Sequence, residues 1–268
     1  MRLKKLLYNF LLSLCCLLVF FAGCTYNESS RDQLFDVLKI DPDSDRMPLG
    51  GISEWMTWYV AYDIEPPADS KKLIEQTIDI HDERGIDFII WNCGRSTVAY
   101  QSDIAHTTRY CELGTMIGDK DWSFVARVLD NCCPLKHAVS YCQEKGMPIL
   151  GRLTMNRHYG KKIHSGLTSR FAMEHPEYWE VAKNGVPMKD KLCYAIEEVR
   201  QERLDIMLEI QSKGVDALVL DYCRQMPILA YHDSLVIPYI NNIGLDPREI
   251  ESTNKEDYRD WFQYRADV

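Results

Sequence analysis

The chain has 268 residues, 46% of them hydrophobic and 26% charged, with a formal net charge of −9. This profile excludes the disordered and collagen-like classes and is long enough for one large domain. The acidic balance argues against nucleic acid as a partner, since that role needs a basic stripe to neutralise phosphates.

In chain order, the first predicted element is a targeting segment. Arg2, Lys4 and Lys5 precede a nearly all-apolar run, Leu6 to Phe21, and the small residues Ala22-Gly23-Cys24 follow. Residues 1–23 read as a secretory signal peptide. Phe21-Ala22-Gly23-Cys24 resembles the bacterial lipobox, with Phe where Leu is usual, which implies a lipidated Cys24 as the mature N-terminus. Several acyl chains on one Cys would hold the protein at a membrane durably, where one chain binds only marginally. Thr25 follows Cys24, and by resemblance to enterobacterial sorting this implies the outer membrane. Removing the signal removes three positive charges and takes the net charge from −9 to −12.

Residues 24–48 are polar and read as a tether with one short helix near 32–39. The folded domain is expected over 49–268. Its first strand is predicted at Glu54 to Val60, and its first helix is capped by Asp69 or Ser70, with Leu73, Ile74, Thr77, Ile78 and His81 on one face and Gly85 past its end. A second strand, Ile86 to Trp91, leads into a long polar loop over 92–119, a length that suggests a functional or lid-like segment. A helical pattern from Asp121 to Gly146 carries Pro134, which should break it in two. A third strand is predicted at Pro148 to Met155. The loop 156–195 after it holds a helical turn near Ser169 to Glu174 and an Asn184-Gly185 turn. A helix at Glu197 to Lys213 and a fourth strand at Val215 to Tyr222 complete the alternation, and residues 225–268 read as loop and helix with start signals at Asp246-Pro247 and Asn254. Seven cysteines follow Cys24. Their odd count and lack of paired spacing argue for small core residues over a disulfide framework.

Alternating strands and helices predict a parallel sheet, and the α/β class that fits is the (β/α)₈ TIM barrel. Such a barrel takes about 250 residues for eight strands. Residues 49–268 supply four βα units, so the expectation is a barrel truncated after the fourth.

The candidate chemistry centres on Asp221. Ala217 to Leu220 is an apolar run typical of a strand buried on both faces, and Asp221 closes it at the carboxyl end, where barrels place their reactive groups. The competing reading is a cap for the next turn or an ion pair with Arg224. Trp58, Trp91 and Tyr222 are candidate sugar platforms, with core packing as the alternative. Asn92 and Arg95 after the second strand, and Asn156, Arg157 and His158 after the third, are candidate substrate-binding groups, as is Arg224. The histidines fall at no recognised metal spacing, and the chain carries no P-loop, dinucleotide fingerprint or Gly-x-Ser-x-Gly elbow. No metal and no cofactor are therefore expected.

Several segments together resemble the glycosyl hydrolase-like family ten, TIM-barrel proteins often found as exported bacterial lipoproteins. They are Asn92-Cys93-Gly94-Arg95 with Tyr100-Gln101-Ser102-Asp103, Gly146-Met147-Pro148-Ile149, the run Phe171 to Trp179, Leu192-Cys193-Tyr194-Ala195, and the run Val215 to Arg224. The resemblance spans about residues 50–268 and implies a hydrolase acting on polysaccharide or cell-wall glycan. Glycoside hydrolysis ordinarily uses two carboxyl groups. Asp221 would be one, and the other is expected on a later strand beyond Val268. The alternative from another class is a non-catalytic glycan-binding lipoprotein in the same membrane.

Overall fold

The computed structural model describes residues 33, 35–39, 41, 45–62, 64–108, 122–158, 167–223, 227–251 and 253–268. Two compact units result, Met1–Pro48 and Leu49–Val268. In the first, residues 35–38 are helical, within the helix expected there. The signal segment and Cys24 lie outside the described residues, as do Asp63, Cys111, His164 and Arg224. Among the described residues no helix is long and apolar enough to cross a membrane.

The second unit is a mixed α/β fold around a four-stranded parallel sheet. Its elements are β1 (Gly50–Ser53), α1 (Trp55–Tyr62), α2 (Ser70–Asp82), β2 (Phe88–Gly94), α3 (Ser123–Asn131), α4 (Pro134–Lys145) and β3 (Ile149–Thr154). After these come α5 (Arg170–Glu174), β4 (Trp179–Val181), β5 (Pro187–Leu192), α6 (Glu197–Ser212), β6 (Ala217–Asp221), α7 (Asp233–Ile243) and α8 (Lys255–Asp267). The sheet order is β1-β2-β3-β6, and β4 with β5 forms a separate antiparallel hairpin.

The register fixes which side chains share a face. Gly51, Ile89 and Ile149 are aligned, as are Trp91, Gly151 and Leu218. This face packs on helices: a Cβ on Gly51 would lie 2.4 Å from His81 of α2, and one on Gly151 would lie 2.5 Å from Ile210 of α6. The opposite face carries Phe88, Ile90, Leu150 and Ala217 toward the amino ends of the strands, with Val219 one level up, in register with Arg152. Toward their carboxyl ends it carries Asn92, Arg152, Thr154 and Asp221. One face is thus an apolar helix bed, and the other has an apolar floor with a polar rim.

Several expectations hold. Asp69 caps α2, accepting from the amides of Lys71 and Lys72 at 2.8 and 3.2 Å, and Leu73, Ile74, Thr77 and Ile78 are buried. Pro134 stands at the start of α4 and divides it from α3, so Cys132 and Cys133 occupy the break and not one continuous helix. Ser169 caps α5 and Asn254 caps α8.

Two expectations, the first strand and the helix start at Asp246-Pro247, are corrected. The run Trp55–Tyr62 is helical, and the first strand lies earlier, at Gly50–Ser53. Aromatic and β-branched residues gave it strand propensity, but Trp55, Met56 and Tyr59 are the buried positions, an i, i+1, i+4 pattern that only a helix turns to one side. The loop after β2 is built into the structure over its described part. Residues 96–100 are buried, and Glu209 of α6 accepts from the Tyr100 hydroxyl at 2.8 Å, the Ser102 hydroxyl at 2.6 Å and the Asp103 amide at 3.0 Å. No helix starts at Asp246-Pro247, where Asp246 instead grips the Arg248 guanidinium.

Candidate active site

The polar rim is one connected row across all four strands. At its first end Glu54 directly follows β1, and its Oε1 accepts from the Asn92 amide nitrogen at 2.9 Å. Arg95 approaches the same oxygen at 3.5 Å. Gly94 makes that approach possible: at φ 148° its Cβ position lies 2.4 Å from the Thr97 carbonyl oxygen, so only glycine fits the turn that brings Arg95 back toward β1. Asn92 accepts in turn from Arg152 Nη1 at 3.4 Å. Arg152 Nη2 donates to Asp221 Oδ2, which also accepts from the Thr154 hydroxyl at 3.1 Å. Asp221 Oδ1 takes the Cys223 amide at 3.0 Å and the Cys223 thiol.

Position and charge of Asp221 follow from these contacts. It stands at the carboxyl end of β6, as its sequence context predicts, with its side chain 5% exposed. Burial by itself would raise its pKa. The Cys223 thiol and amide, the Arg152 guanidinium and the Thr154 hydroxyl outweigh that and hold the carboxyl below the usual aspartate value. Asp221 is therefore ionised at neutral pH, the opposite of what a proton donor requires. Among the described residues the cation beside it is Arg152, from inside β3; Arg224 lies outside them.

The other candidates divide between this rim and the core. Asn92 and Arg95 belong to the row. Tyr222, next to Asp221, stands half-buried and edge-on to Tyr194 at 5.9 Å. Trp58 is half-buried on α1, its ring 4.4 Å from that of Tyr62, beside a cavity of about 280 Å³ that Glu54 also lines. Asn156 is buried with its amide nitrogen on the Ile228 carbonyl at 3.1 Å, and Arg157 is half-buried next to it.

Trp91 and His158 do not reach the rim. Trp91 is 1% exposed and lies on the helix-packed face in register with Gly151, the core-packing alternative of its sequence reading. His158 is 1% exposed and edge-on to Trp179 of β4 at 6.1 Å. Desolvation first, and the positive Arg203 second, push its pKa well below the ordinary histidine value, so the ring is neutral and part of the core.

Three members of the row, Glu54, Arg152 and Thr154, escaped the sequence reading. Arg152 is the lone charge in Ile149-Leu150-Gly151-Arg152-Leu153-Thr154, a strand buried throughout, and a lone buried charge in such a run is itself the signal. Glu54 is an acid directly after a strand, the same signal that singled out Asp221. It was hidden because the first strand was placed to begin at Glu54 and not to end just before it. Among the described residues, no group of three or more His, Cys, Asp and Glu side chains converges as metal ligands would.

A scan against protein-family models and a search of curated proteins return no match. Among solved structures the chain is similar to a hypothetical protein from Ruminiclostridium thermocellum ATCC 27405, at 13% identity and TM-score 0.41, over 81% of this chain and 89% of that one. It is also similar to TtGalA, an α-galactosidase from Thermus thermophilus solved with p-nitrophenyl α-D-galactopyranoside. That likeness has 12% identity and TM-score 0.38, over 66% of this chain and 31% of the other. Likenesses at these scores are distant and carry no argument about the reaction.

Proposed function

We propose that this chain is a glycan-directed hydrolase, with the four parallel strands as the first four of a (β/α)₈ barrel and the polar row as part of its active site. The supporting observation is the placement of the row. Glu54, Asn92, Arg152, Thr154 and Asp221 gather at the carboxyl ends of four parallel strands, on the face away from the helices, and that is where barrels carry their chemistry. Within it Asp221 works as an ionised carboxylate, setting Arg152 and the charge of the site, and the proton donor is another group. The substrate class is a polysaccharide or cell-wall glycan. In the same proposal residues 1–23 direct export and a lipidated Cys24 holds the protein on the bacterial outer membrane.

The test is release of reducing ends from a panel of soluble polysaccharides and peptidoglycan by the exported, lipidated full-length protein, with the strands proposed to follow Val268 in place, since residues 1–268 alone are expected to be inactive. Asp221→Asn is expected to lower the rate at least 100-fold. Cleavage at the wild-type rate by this variant would remove Asp221 from the mechanism, and glycan binding without any cleavage would make the chain a binding lipoprotein. Mass spectrometry of the mature N-terminus checks the acylation of Cys24.

A further inference from the structure

The two carboxylates at the ends of the row are not equivalent. An ionised carboxylate offers about four acceptor positions. Those of Asp221 are all taken, by the Cys223 amide and thiol on Oδ1 and by Arg152 and Thr154 on Oδ2, and its side chain is 5% exposed. Such a group has no lone pair left for a ligand.

Glu54 is the reverse case. Among the described residues both of its contacts fall on Oε1, from Asn92 at 2.9 Å and Arg95 at 3.5 Å, and its side chain is 23% exposed. It lines a cavity of about 20 Å³, large enough for one water, and another of about 280 Å³. The larger one lies at the β1 edge on the helix-packed side, between α1 and α2: Trp58 and Tyr62 line it with Thr77, His81 and Arg84, the Arg84 guanidinium stands 5.8 Å over the Trp58 ring, and the Ser53 hydroxyl is buried there at 2% exposure without a partner among the described residues. Aromatic rings braced by a guanidinium, with one fixed carboxylate acceptor and one spare hydroxyl, suit a polyhydroxylated ring, and the volume accommodates about one sugar unit.

We propose that Glu54 is the carboxylate that meets the ligand, accepting hydrogen bonds from the hydroxyls of a sugar ring in the larger cavity. Asp221 is then a positioning residue that holds Glu54 in place through Arg152 and Asn92. This assignment rests on the glycan reading above and divides the work within it. A gap between the two acids agrees with it. β1 and β6 are three strand spacings apart, about 14 Å in a flat sheet, whereas two carboxyls acting on one glycosidic bond stand about 5–9.5 Å apart.

The experiment uses the full chain, wild type against Glu54→Gln, Asp221→Asn and the double variant. Affinity for soluble polysaccharides is read by affinity electrophoresis, and stability by thermal melting. Gln keeps an acceptor for Asn92, so Glu54→Gln should melt with wild type yet bind glycan at least tenfold more weakly. Asp221→Asn should lose both melting temperature and affinity. In the double variant, affinity should be no lower than in Glu54→Gln alone, because Asp221 acts on the ligand only through Glu54; a merely structural Asp221 would add its loss. Wild-type affinity in Glu54→Gln overturns the proposal, and so does a melting loss equal to that of Asp221→Asn. A wild-type chain that binds no glycan defeats the glycan reading instead, and the two melting losses then still decide whether Glu54 and Asp221 differ as argued.

Discussion

Asp221 and His158 are both buried ionisable groups, and each ties stability to pH in its own window. The Asp221 carboxyl is held below its ordinary value. Its contribution is therefore complete above the unfolded value, about pH 3.9, and is lost as pH falls through the lower folded value. Replacing it with Asn leaves Arg152 buried with no carboxylate opposite, and breaking a buried pair from one side costs about 3 kcal/mol. Chemical denaturation at pH 7 should show that loss, and the variant should also lack the wild-type decline below about pH 4. His158 acts earlier. The folded ring stays neutral while the unfolded one takes up a proton below about pH 6.5, so stability falls with pH at up to about 1.4 kcal/mol per unit beneath that point. In His158→Gln that slope between pH 6.5 and 5 should vanish whatever the variant's absolute stability. A slope equal to wild type would mean that His158 protonates in the folded state. Buried cysteines stay out of this balance, since desolvation pushes the Cys142 thiol up to about 12 and raises Cys93 and Cys193 as well.

At the scale of elements, periodicity carried the reading where packing and local signal agree. The Asp69 cap, the Pro134 break and the stretch Ala217–Asp221 all state their structure in the residues themselves. It failed where tertiary contacts decide. Trp55–Tyr62 has the composition of a strand, but Gly50-Gly51 is slim enough to lie between Phe88 and His81, so the strand forms there and the aromatics wind into a helix. The β4–β5 hairpin was read only as a turn. Pro187, Lys189, Asp190 and Lys191 are poor strand formers, and the pairing is tied down by Glu180, which accepts from the distant His232 amide at 3.0 Å. The candidate site was half legible for the same reason: acids at strand ends can be read, but whether a tryptophan faces helix or rim depends on register. Gly151 tests the register directly. A methyl group there would sit 2.5 Å from Ile210 Cγ2, so Gly151→Ala should cost about 1–3 kcal/mol in urea unfolding. Combined with Ile210→Ala, the cost should be less than the sum of the two. A neutral Gly151→Ala would mean that α6 is not seated on that strand.

For the molecule as a whole, the unusual feature is how the parallel sheet ends. Parallel sheets are ordinarily covered on both faces, and exposed edges are normally guarded by charge, proline or a bulge. Here β1 and β6 are the outer strands of the four. β1 reads Gly-Gly-Ile-Ser and β6 reads Ala-Leu-Val-Leu-Asp, so neither carries a lysine, an arginine or a proline. Ile52 on β1 is 54% exposed and Leu49 beside it 40%. Residues 25–268 prepared alone should therefore self-associate through these edges. The net charge of −12 that the chain keeps without its signal opposes contact between copies, but that repulsion is screened beyond about 8 Å at physiological ionic strength, whereas backbone pairing and apolar burial are not. Association should accordingly strengthen with salt in sedimentation velocity, and Ile52→Lys, which places a charge on the β1 edge, should weaken it several-fold. A soluble monomer of residues 25–268 that unfolds cooperatively at all salt concentrations would show instead that the edges are guarded by segments other than the strands themselves.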